Sequence, residues 1–359
     1  MTIEASNRYD ASDILFFSHL RWDFVQQRPQ HIASRWATQQ QVSFWEEPVH
    51  DATSPRLEIR EAGPVTVLTP HLRPDDREPD HALRLMLDGW VRHAGIHRPV
   101  GYYWTPMMRS FSDHLPFSAV VWDCMDELSA FAFAPPDLLR REAEMLRSAD
   151  VVFTGGHEIY RAKRHRHGNI HPMPSSVDFR HFAQARKGPA EPGDQARIPR
   201  PRIGWFGVID ERTDIALIDT VAASNPDWHL VMIGPVVKIS PDTLPRRPNI
   251  HWLGMKAYAE LPAYVAHWDV AMLPFAINDA TRFISPTKTP EYLAAGKPVV
   301  STPIADVIRP YGEKNIVRIA DGADAFAAEI RAALVEDPAE RLARADVLLA
   351  TTSWDATVA

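Results

Sequence analysis

Short apolar runs alternate with helical stretches throughout the first half of the chain. Each run has the length of a buried strand, and the stretches between the runs have helical periodicity. The strand-like runs are Asp13–Ser18, Val42–Trp45, Val65–Leu68, Val100–Trp104, Ala119–Asp123 and Val151–Thr154, and the helical stretches lie near Pro29–Gln40, His81–Ala94, Pro136–Ser148 and Glu158–Arg166. Nearly continuous hydrophobic strands separated by helices predict a parallel sheet covered on both faces.

The same alternation begins again after a break. Residues 184–201 have no apolar periodicity, so they predict an interdomain linker. The later strands are Ile203–Phe206, Leu230–Ile233, Ile250–Leu253, Val270–Pro274 and Val299–Ser301, and the helices are Ile215–Ser224, Tyr258–Trp268, Thr287–Ala295 and Ala323–Val335. We therefore predict an α/β protein with Rossmann-like domains over 1–183 and 202–340, followed by a C-terminal helix within 341–359.

Composition narrows the class of protein. The chain has 359 residues, 45% of them hydrophobic, which is enough for two cores. The net charge of −7 gives no basic field for nucleic acid, and the single cysteine, Cys124, excludes a disulfide framework. The polar N-terminus does not resemble a signal peptide, and no apolar run approaches the roughly 20 residues of a membrane helix. We expect a soluble cytoplasmic protein.

Residues 285–301 form the most informative stretch. The sequence predicts a loop, a short helix, a glycine stop and a buried strand. Pro290 fits a helix only in the first turn, so the hydroxyl of Ser285 or Thr287 is the expected N-cap. Gly296 then ends the helix. This arrangement leaves free N–H groups near Pro286 to Thr289.

A helix N-terminus with free amides and a lysine is a site for an anion such as phosphate. Lys288 supplies the lysine, and Thr289 lies beside it. Glu291 lies one turn further along, where its carboxylate can accept two hydrogen bonds from a vicinal diol such as ribose. Phosphate followed by ribose indicates a nucleotide.

The stretch resembles the nucleotide-sugar site of GT-B glycosyltransferases, especially the retaining family with the motif E-x7-E followed by G-x-P-V-V. Glu291 matches the second glutamate, which holds the ribose in that family. Phe283 stands where the first glutamate, which touches the transferred sugar, is expected. The form K-x-x-E-Y-L-A-A-G-K-P-V-V is similar to that of bacterial surface-polysaccharide and teichuronic-acid-type glycosyltransferases. The resemblance implies two domains facing each other across a cleft, with a C-terminal helix that packs back on the first domain.

The same resemblance implies further donor-binding residues in the second domain. Gly207 follows its first strand, where it allows a close backbone approach, and Arg212 can pair with a diphosphate. Gly254 ends the segment whose following loop borders the base. The alternative is structural: Gly207 in a tight turn, Arg212 on a surface helix and a plain strand before Gly254. The absence of G-x-G-x-x-G argues against a dinucleotide dehydrogenase.

In the first domain, polar and aromatic residues follow the first strand in the form R-W-x-F-x-x-Q-R-P-Q-H. Bacterial relatives of the teichuronic-acid and capsule type share this form. The resemblance implies that His19, Arg21, Trp22 and Asp23 contact donor phosphate or acceptor in the cleft. The alternative gives Asp23 a helix-capping role and places Arg28 on the surface.

Three acidic residues lie at the end of the predicted strand Ala119–Asp123. They are Asp123, Asp126 and Glu127, at a strand end where a general base for an acceptor hydroxyl would lie. Asp126 is our candidate base, and the alternative for each of the three is a buried, hydrogen-bonded carboxylate. Arg212 and Lys288 are the candidates for stabilising the leaving diphosphate.

No metal or cofactor is expected. The sixteen histidines show no H-E-x-x-H spacing, and no D-x-D pair is present. Arg212 and Lys288 offer positive charge to a diphosphate, so no metal ion is needed for that purpose. The dense basic run at 161–167 is either a solvated helix face or a peripheral contact with an anionic membrane at its inner face. The resemblance implies a glycan or lipid-linked acceptor.

The sequence thus predicts a glycosyltransferase that moves a sugar from a nucleotide diphosphate-sugar, with UDP as the nucleotide, to an acceptor hydroxyl. A GT-B nucleotide-sugar epimerase or hydrolase is one alternative. The missing first glutamate also permits a sugar-nucleotide-binding protein without transferase activity. The sugar, the linkage and retention against inversion stay open.

Overall fold

The computed structural model describes residues 13–131 and 134–359. The expectation that the N-terminus is no signal peptide concerns residues that lie largely outside these ranges. Two sheets, each with its own core, form an α/β protein, and the predicted fold class is confirmed.

The first sheet has eight strands in the order β3-β4-β2-β1-β5-β6-β7-β8. All neighbours are parallel except β3 and β4, which form an antiparallel edge. β3 was not predicted because its residues are charged and largely exposed at the sheet edge. The strands are β1 Ile14–Phe17, β2 Val42–Trp45, β3 Arg56–Ala62, β4 Val65–His71, β5 Val100–Tyr103, β6 Ala119–Cys124, β7 Val151–Thr154 and β8 Ile170–Pro172.

The second sheet has six parallel strands in the order β11-β10-β9-β12-β13-β14. The chain direction across the sheet reverses between β9 and β12, as it does between β1 and β5 in the first sheet, and ligands of such sheets bind at the carboxyl ends near these points. The strands are β9 Arg202–Phe206, β10 His229–Ile233, β11 Ile250–Trp252, β12 Val270–Leu273, β13 Val299–Ser301 and β14 Arg318–Ile319.

Helices cover both sheets. They are α1 Arg28–Trp36, α2 Pro79–His93, α3 Arg109–Ser112, α4 Leu138–Ser148, α5 His157–Lys163, α6 Phe179–Phe182, α7 Ile215–Ser224, α8 Leu261–Ala266, α9 Lys288–Ala294, α10 Ala305–Val307, α11 Ala323–Leu334, α12 Pro338–Leu349 and α13 Trp354–Val358. None of the helices within the described ranges is long and apolar enough to span a bilayer.

The segment 184–201, expected as a linker, packs against the second domain. The Gln195 side chain is buried, donates to the carbonyl of Tyr264 at 3.0 Å and accepts from the indole N–H of Trp268 at 2.8 Å. Phe182, before the segment, already belongs to the second core. The chain therefore crosses between the domains before α6, and Pro and Gly content alone did not reveal that Ala185, Gln195 and Ile198 of the segment are buried.

The C-terminal helix α13 packs on the first domain. Trp354 is buried in that domain's core cluster and stacks on His31 of α1 with ring centroids 5.1 Å apart. Asp355 pairs with Arg35 at 2.6 Å. The helix α12, which was not predicted separately, contacts α9 of the second domain. The tail thus contacts both domains, with α12 against the second and α13 against the first.

Candidate active site

Three adjoining cavities lie between the carboxyl ends of the two sheets. We call them the inner, middle and outer cavities, with volumes of about 360, 90 and 310 Å³. Lys288 and Thr287 line both the inner and the middle cavity, while Arg212 and Asp126 line both the middle and the outer cavity. The three cavities therefore follow one another along the cleft, and each receives residues from both domains.

The helix α9 begins where the inner and middle cavities meet. Thr287 is at its N-cap position, but the threonine side chain makes no capping hydrogen bond. Pro290 lies in the first turn and Gly296 follows the helix with φ of +81°, as the sequence predicted. The Thr289 hydroxyl is buried, has no partner among the described residues and does not line these cavities.

Lys288 lies against the backbone of Gly207 at the end of β9. A side chain on residue 207 would overlap the Lys288 Cε and would approach its Nζ to 3.1 Å, and the φ of +151° also favours glycine. The Lys288 ammonium lies 6.0 Å from the centre of the Phe206 ring. Gly207 therefore makes room for the lysine as well as for the inner cavity, which it lines.

Glu291 lines the inner cavity one turn after Lys288. Burial raises the pKa of Glu291 to about 8, and the neighbouring Lys288 partly opposes this shift. Burial lowers the pKa of Lys288, against the attraction of Glu291. Tyr258, which also lines the inner cavity, stacks on His181 at 4.3 Å and has a buried hydroxyl without a partner among the described residues. The inner cavity thus combines an aromatic ring, a carboxyl group and a lysine.

Arg212 is held in place by a residue that the sequence reasoning missed. Asp210 is 3% exposed and accepts hydrogen bonds from Arg212 Nε and Nη2, the shorter at 2.6 Å. The Arg212 guanidinium also lies 5.3 Å from the ring centre of Phe131, which belongs to the first domain. An aspartate two residues before a candidate phosphate-binding arginine was the available signal.

Asp126 faces Arg212 from the first domain. Asp126 lines the middle and outer cavities. Burial raises the pKa of Asp126, and the charges of Arg212 and Arg28 lower it by a smaller amount. An aspartate with a raised pKa at the junction of two cavities is suitably placed to accept a proton from a bound hydroxyl group.

Asp123 and Glu127 do not face the cavities. Asp123 is fully buried, and its Oδ2 accepts hydrogen bonds from Arg28, Tyr102 and Trp104. Glu127 instead pairs with Lys163 at 2.8 Å and accepts from the Ser129 hydroxyl. Their spacing at the strand end suggested cleft residues, but buried basic and polar side chains hold Asp123 Oδ2 and the Glu127 carboxylate inside the first domain.

The four candidates after β1 have different positions. His19 lines the outer cavity, and burial together with the charge of Lys238 lowers its pKa to about 4. Trp22 and Asp23 line the inner cavity, and Asp23 pairs with Arg60 rather than capping a helix. Arg21 contacts Glu46 and the carbonyl of Pro48, outside the three cavities.

Two further donor candidates lie next to the cavities. Ser285 lines the middle cavity, and its carbonyl accepts a 2.6 Å hydrogen bond from Ser175 near the domain crossover. Gly254 does not line the inner cavity, but its carbonyl accepts from Gly234 and it precedes the lining residue Met255. Phe283 packs against the core cluster of the first domain.

The basic run is partly used within the fold. Lys163 and Arg166 pair with Glu142, and Arg161 pairs with Glu158. These pairs favour a structural role for half of the run. Across the described part of the chain, no three His, Cys, Asp or Glu side chains are grouped to hold a metal ion.

Residues 200–337 match the family profile described as glycosyl transferases group 1. The second domain is therefore a glycosyltransferase group 1 domain. This domain contains Gly207, Lys288 and Glu291 of the inner cavity and Arg212 of the middle and outer cavities. The expected resemblance is confirmed for this domain.

A protein of Bacillus subtilis (strain 168), named for teichuronic acid biosynthesis as the glycosyltransferase TuaH, is 27% identical over 239 residues. The match spans 62% of this chain and 60% of the length of that relative. The homology thus extends beyond the group 1 domain.

Solved structures match the whole fold. A sucrose-phosphate synthase from Thermosynechococcus elongatus has a TM-score of 0.72 at 15% identity and covers 97% of this chain and 96% of its own. An E. coli trehalose-6-phosphate structure with bound UDP-2-fluoro glucose has a TM-score of 0.68 at 13% identity, with 95% of each chain covered. The Anabaena protein HepE, in complex with UDP and glucose, has a TM-score of 0.67 at 15% identity, with 97% of each chain covered. The predicted GT-B fold is confirmed.

Proposed function

We propose that the protein is a glycosyltransferase that moves a sugar from a nucleotide diphosphate-sugar to an acceptor hydroxyl. UDP is the proposed nucleotide, because two proteins of the same fold carry UDP or a UDP-sugar in their solved structures. The teichuronic-acid relative supports a glycan or glycoconjugate product.

The order of the three cavities carries this proposal. The inner cavity offers Glu291 to a ribose diol and Tyr258 to a base. The middle cavity offers Lys288 and Arg212 to a diphosphate, and the outer cavity leads from there to Asp126. Nucleoside, diphosphate and acceptor would then lie in the order in which they are connected in the reacting complex.

The proposed reaction breaks the bond between the sugar C1 and the diphosphate oxygen, which leaves with the electron pair. Lys288 and Arg212 stabilise the charge that grows on that oxygen. The acceptor oxygen forms the new bond to C1, and its proton goes to Asp126 or to the leaving phosphate. The cavities lie between two domains, so binding there shields the donor from water.

The outer cavity is the proposed acceptor site. Apolar side chains such as Leu20, Met107 and Leu138 line it together with Lys238 and His19. A lipid-linked or otherwise partly apolar acceptor fits this mixed lining. The protein would act in the cytoplasm, where nucleotide sugars are made, with peripheral contact at the inner membrane face when the acceptor is lipid-linked.

A thermal-shift screen over UDP-, GDP-, ADP- and dTDP-sugars, followed by mass spectrometry of the products, tests the proposal. We expect a UDP-sugar to raise the Tm and the release of UDP to depend on an added acceptor. A changed sugar without an acceptor would identify an epimerase, released free sugar a hydrolase, and binding without turnover a sugar-nucleotide-binding protein.

A further inference from the structure

Arg28, the first residue of α1, is buried although it lies next to the cleft. Its side chain is 3% exposed, whereas the sequence alternative placed it on the surface. Nε donates to Asp123 Oδ2 at 2.7 Å, and Nη1 donates to the carbonyl of Met173 at 2.7 Å. Its guanidinium carbon also lies 5.9 Å from the ring centre of Trp354.

The third nitrogen of the guanidinium is different. Arg28 Nη2 is buried and has no hydrogen-bond partner among the described residues. A buried charged donor without an acceptor costs free energy, so such groups call for an explanation, such as a ligand. Asp123 Oδ1 is likewise buried without a partner among the described residues, so Arg28 and Asp123 pair through Nε and Oδ2 alone and the Nη2 donor stays unused.

Arg28 lines the middle cavity together with Arg212 and Lys288 of the second domain. Asp123 pairs with Arg28 and Asp210 pairs with Arg212, while Asp126 lines the same cavity. Three basic side chains around a space of about 90 Å³ offer N–H donors to a compact anion such as phosphate. Arg28 is therefore the contribution of the first domain to an anion site otherwise built by the second.

We propose that Arg28 Nη2 donates a hydrogen bond to the diphosphate of the donor, so that both domains hold the same phosphates. The inference rests on the proposed function, which supplies the diphosphate. Asp123, buried beneath the guanidinium, is then the residue that positions Arg28. Diphosphate binding would also add a contact that holds the two domains together.

The test uses Arg28→Lys. A lysine can still pair with Asp123, but its single ammonium cannot also replace Nη2. Tyr102→Phe is the matched control, because it removes another hydrogen bond to Asp123, from a residue outside the three cavities. Calorimetric titration with UDP and with uridine separates diphosphate binding from nucleoside binding.

We expect Arg28→Lys to weaken UDP binding by about tenfold or more, which corresponds to one lost charge-assisted hydrogen bond, and to leave uridine binding unchanged. Tyr102→Phe should bind both ligands like the wild type. Arg28→Lys binding UDP within twofold of the wild type would overturn the inference but not the proposed function. Absence of UDP binding by the wild-type chain would overturn both.

A second measurement covers the case in which Arg28→Lys does not fold. In a crystal structure of the wild-type chain with UDP, a phosphate oxygen should lie within hydrogen-bond distance of Arg28 Nη2. Bound UDP whose phosphates contact only Arg212 and Lys288 would overturn the inference.

Discussion

The Cε of Lys288 occupies the space in which a side chain on residue 207 would begin. A glycine is therefore needed at position 207 for two reasons. A side chain there would displace Lys288, and the positive φ of this residue favours glycine. The contact joins the end of β9 to the start of α9, and Trp205 of β9 and Lys288 of α9 both line the proposed diphosphate site.

Gly207→Ala should displace the Lys288 ammonium from the junction of the inner and middle cavities. We expect UDP affinity to fall by about tenfold or more, since one charge-assisted contact is lost. Gly95→Ala is the control, because Gly95 also has a positive φ but its Cβ would meet no atom within 4 Å. Calorimetry should show weaker UDP binding only in Gly207→Ala, and equal affinities would contradict the role of this contact.

Glu291→Gln should weaken UDP binding by roughly 1.5–3 kcal/mol, because it removes a charge-assisted hydrogen bond to the ribose diol. Burial raises the pKa of Glu291 to about 8, so the titration is best done at pH 8 or above, where the wild-type carboxyl group ionises. The nucleotide 2′,3′-dideoxy-UDP should bind the variant and the wild type equally. An unchanged UDP affinity would exclude Glu291 from the ribose site.

The two domains were not equally predictable from the sequence. The position of α9, with Pro290 in its first turn and Gly296 after it, follows from local rules and was predicted. Arg28 and Asp123 of the first domain were assigned incorrectly, because they are held by partners 95 and 145 residues apart in the sequence. Asp210 of the second domain was missed although its partner, Arg212, is only two residues away. A buried ion pair leaves no periodic pattern in the sequence. A strand-end carboxylate that anchors an arginine can therefore be mistaken for a cleft residue.

His31 provides a prediction about stability. Burial, with a smaller contribution from Arg35 and His181, lowers its pKa to about 3 from 6.5. The unfolded chain therefore binds this proton at a higher pH than the folded chain, and stability falls as the pH drops from about 6.5 towards 3. His31→Phe keeps a ring against Trp354 and removes this proton-binding site.

Between pH 7.5 and pH 5, His31→Phe should lose about 2 kcal/mol less unfolding free energy than the wild type. Urea titrations at the two pH values measure this difference, and His165→Phe, at an exposed histidine, is the control. Equal losses in the wild type and His31→Phe would show that His31 is not the group that destabilises the fold in acid.

Chelation tests the expectation that no metal is needed. Arg212 and Lys288 supply positive charge at the middle cavity, so EDTA should leave sugar transfer unchanged. The rate is measured with and without EDTA in the same buffer. Loss of activity that manganese restores would show that a cation takes part.

The most direct test of the account is the turnover of the donor by Lys288→Ala, Arg212→Ala and the double variant. Both residues should act mainly on the diphosphate, whose charge rises as the glycosidic bond breaks. We expect each single change to lower kcat by about 10²-fold or more. The double variant should lose less than the sum of the two free energies, because both residues serve one phosphate pair. A normal kcat in either single variant, or strictly additive losses, would contradict a shared diphosphate site at Lys288 and Arg212.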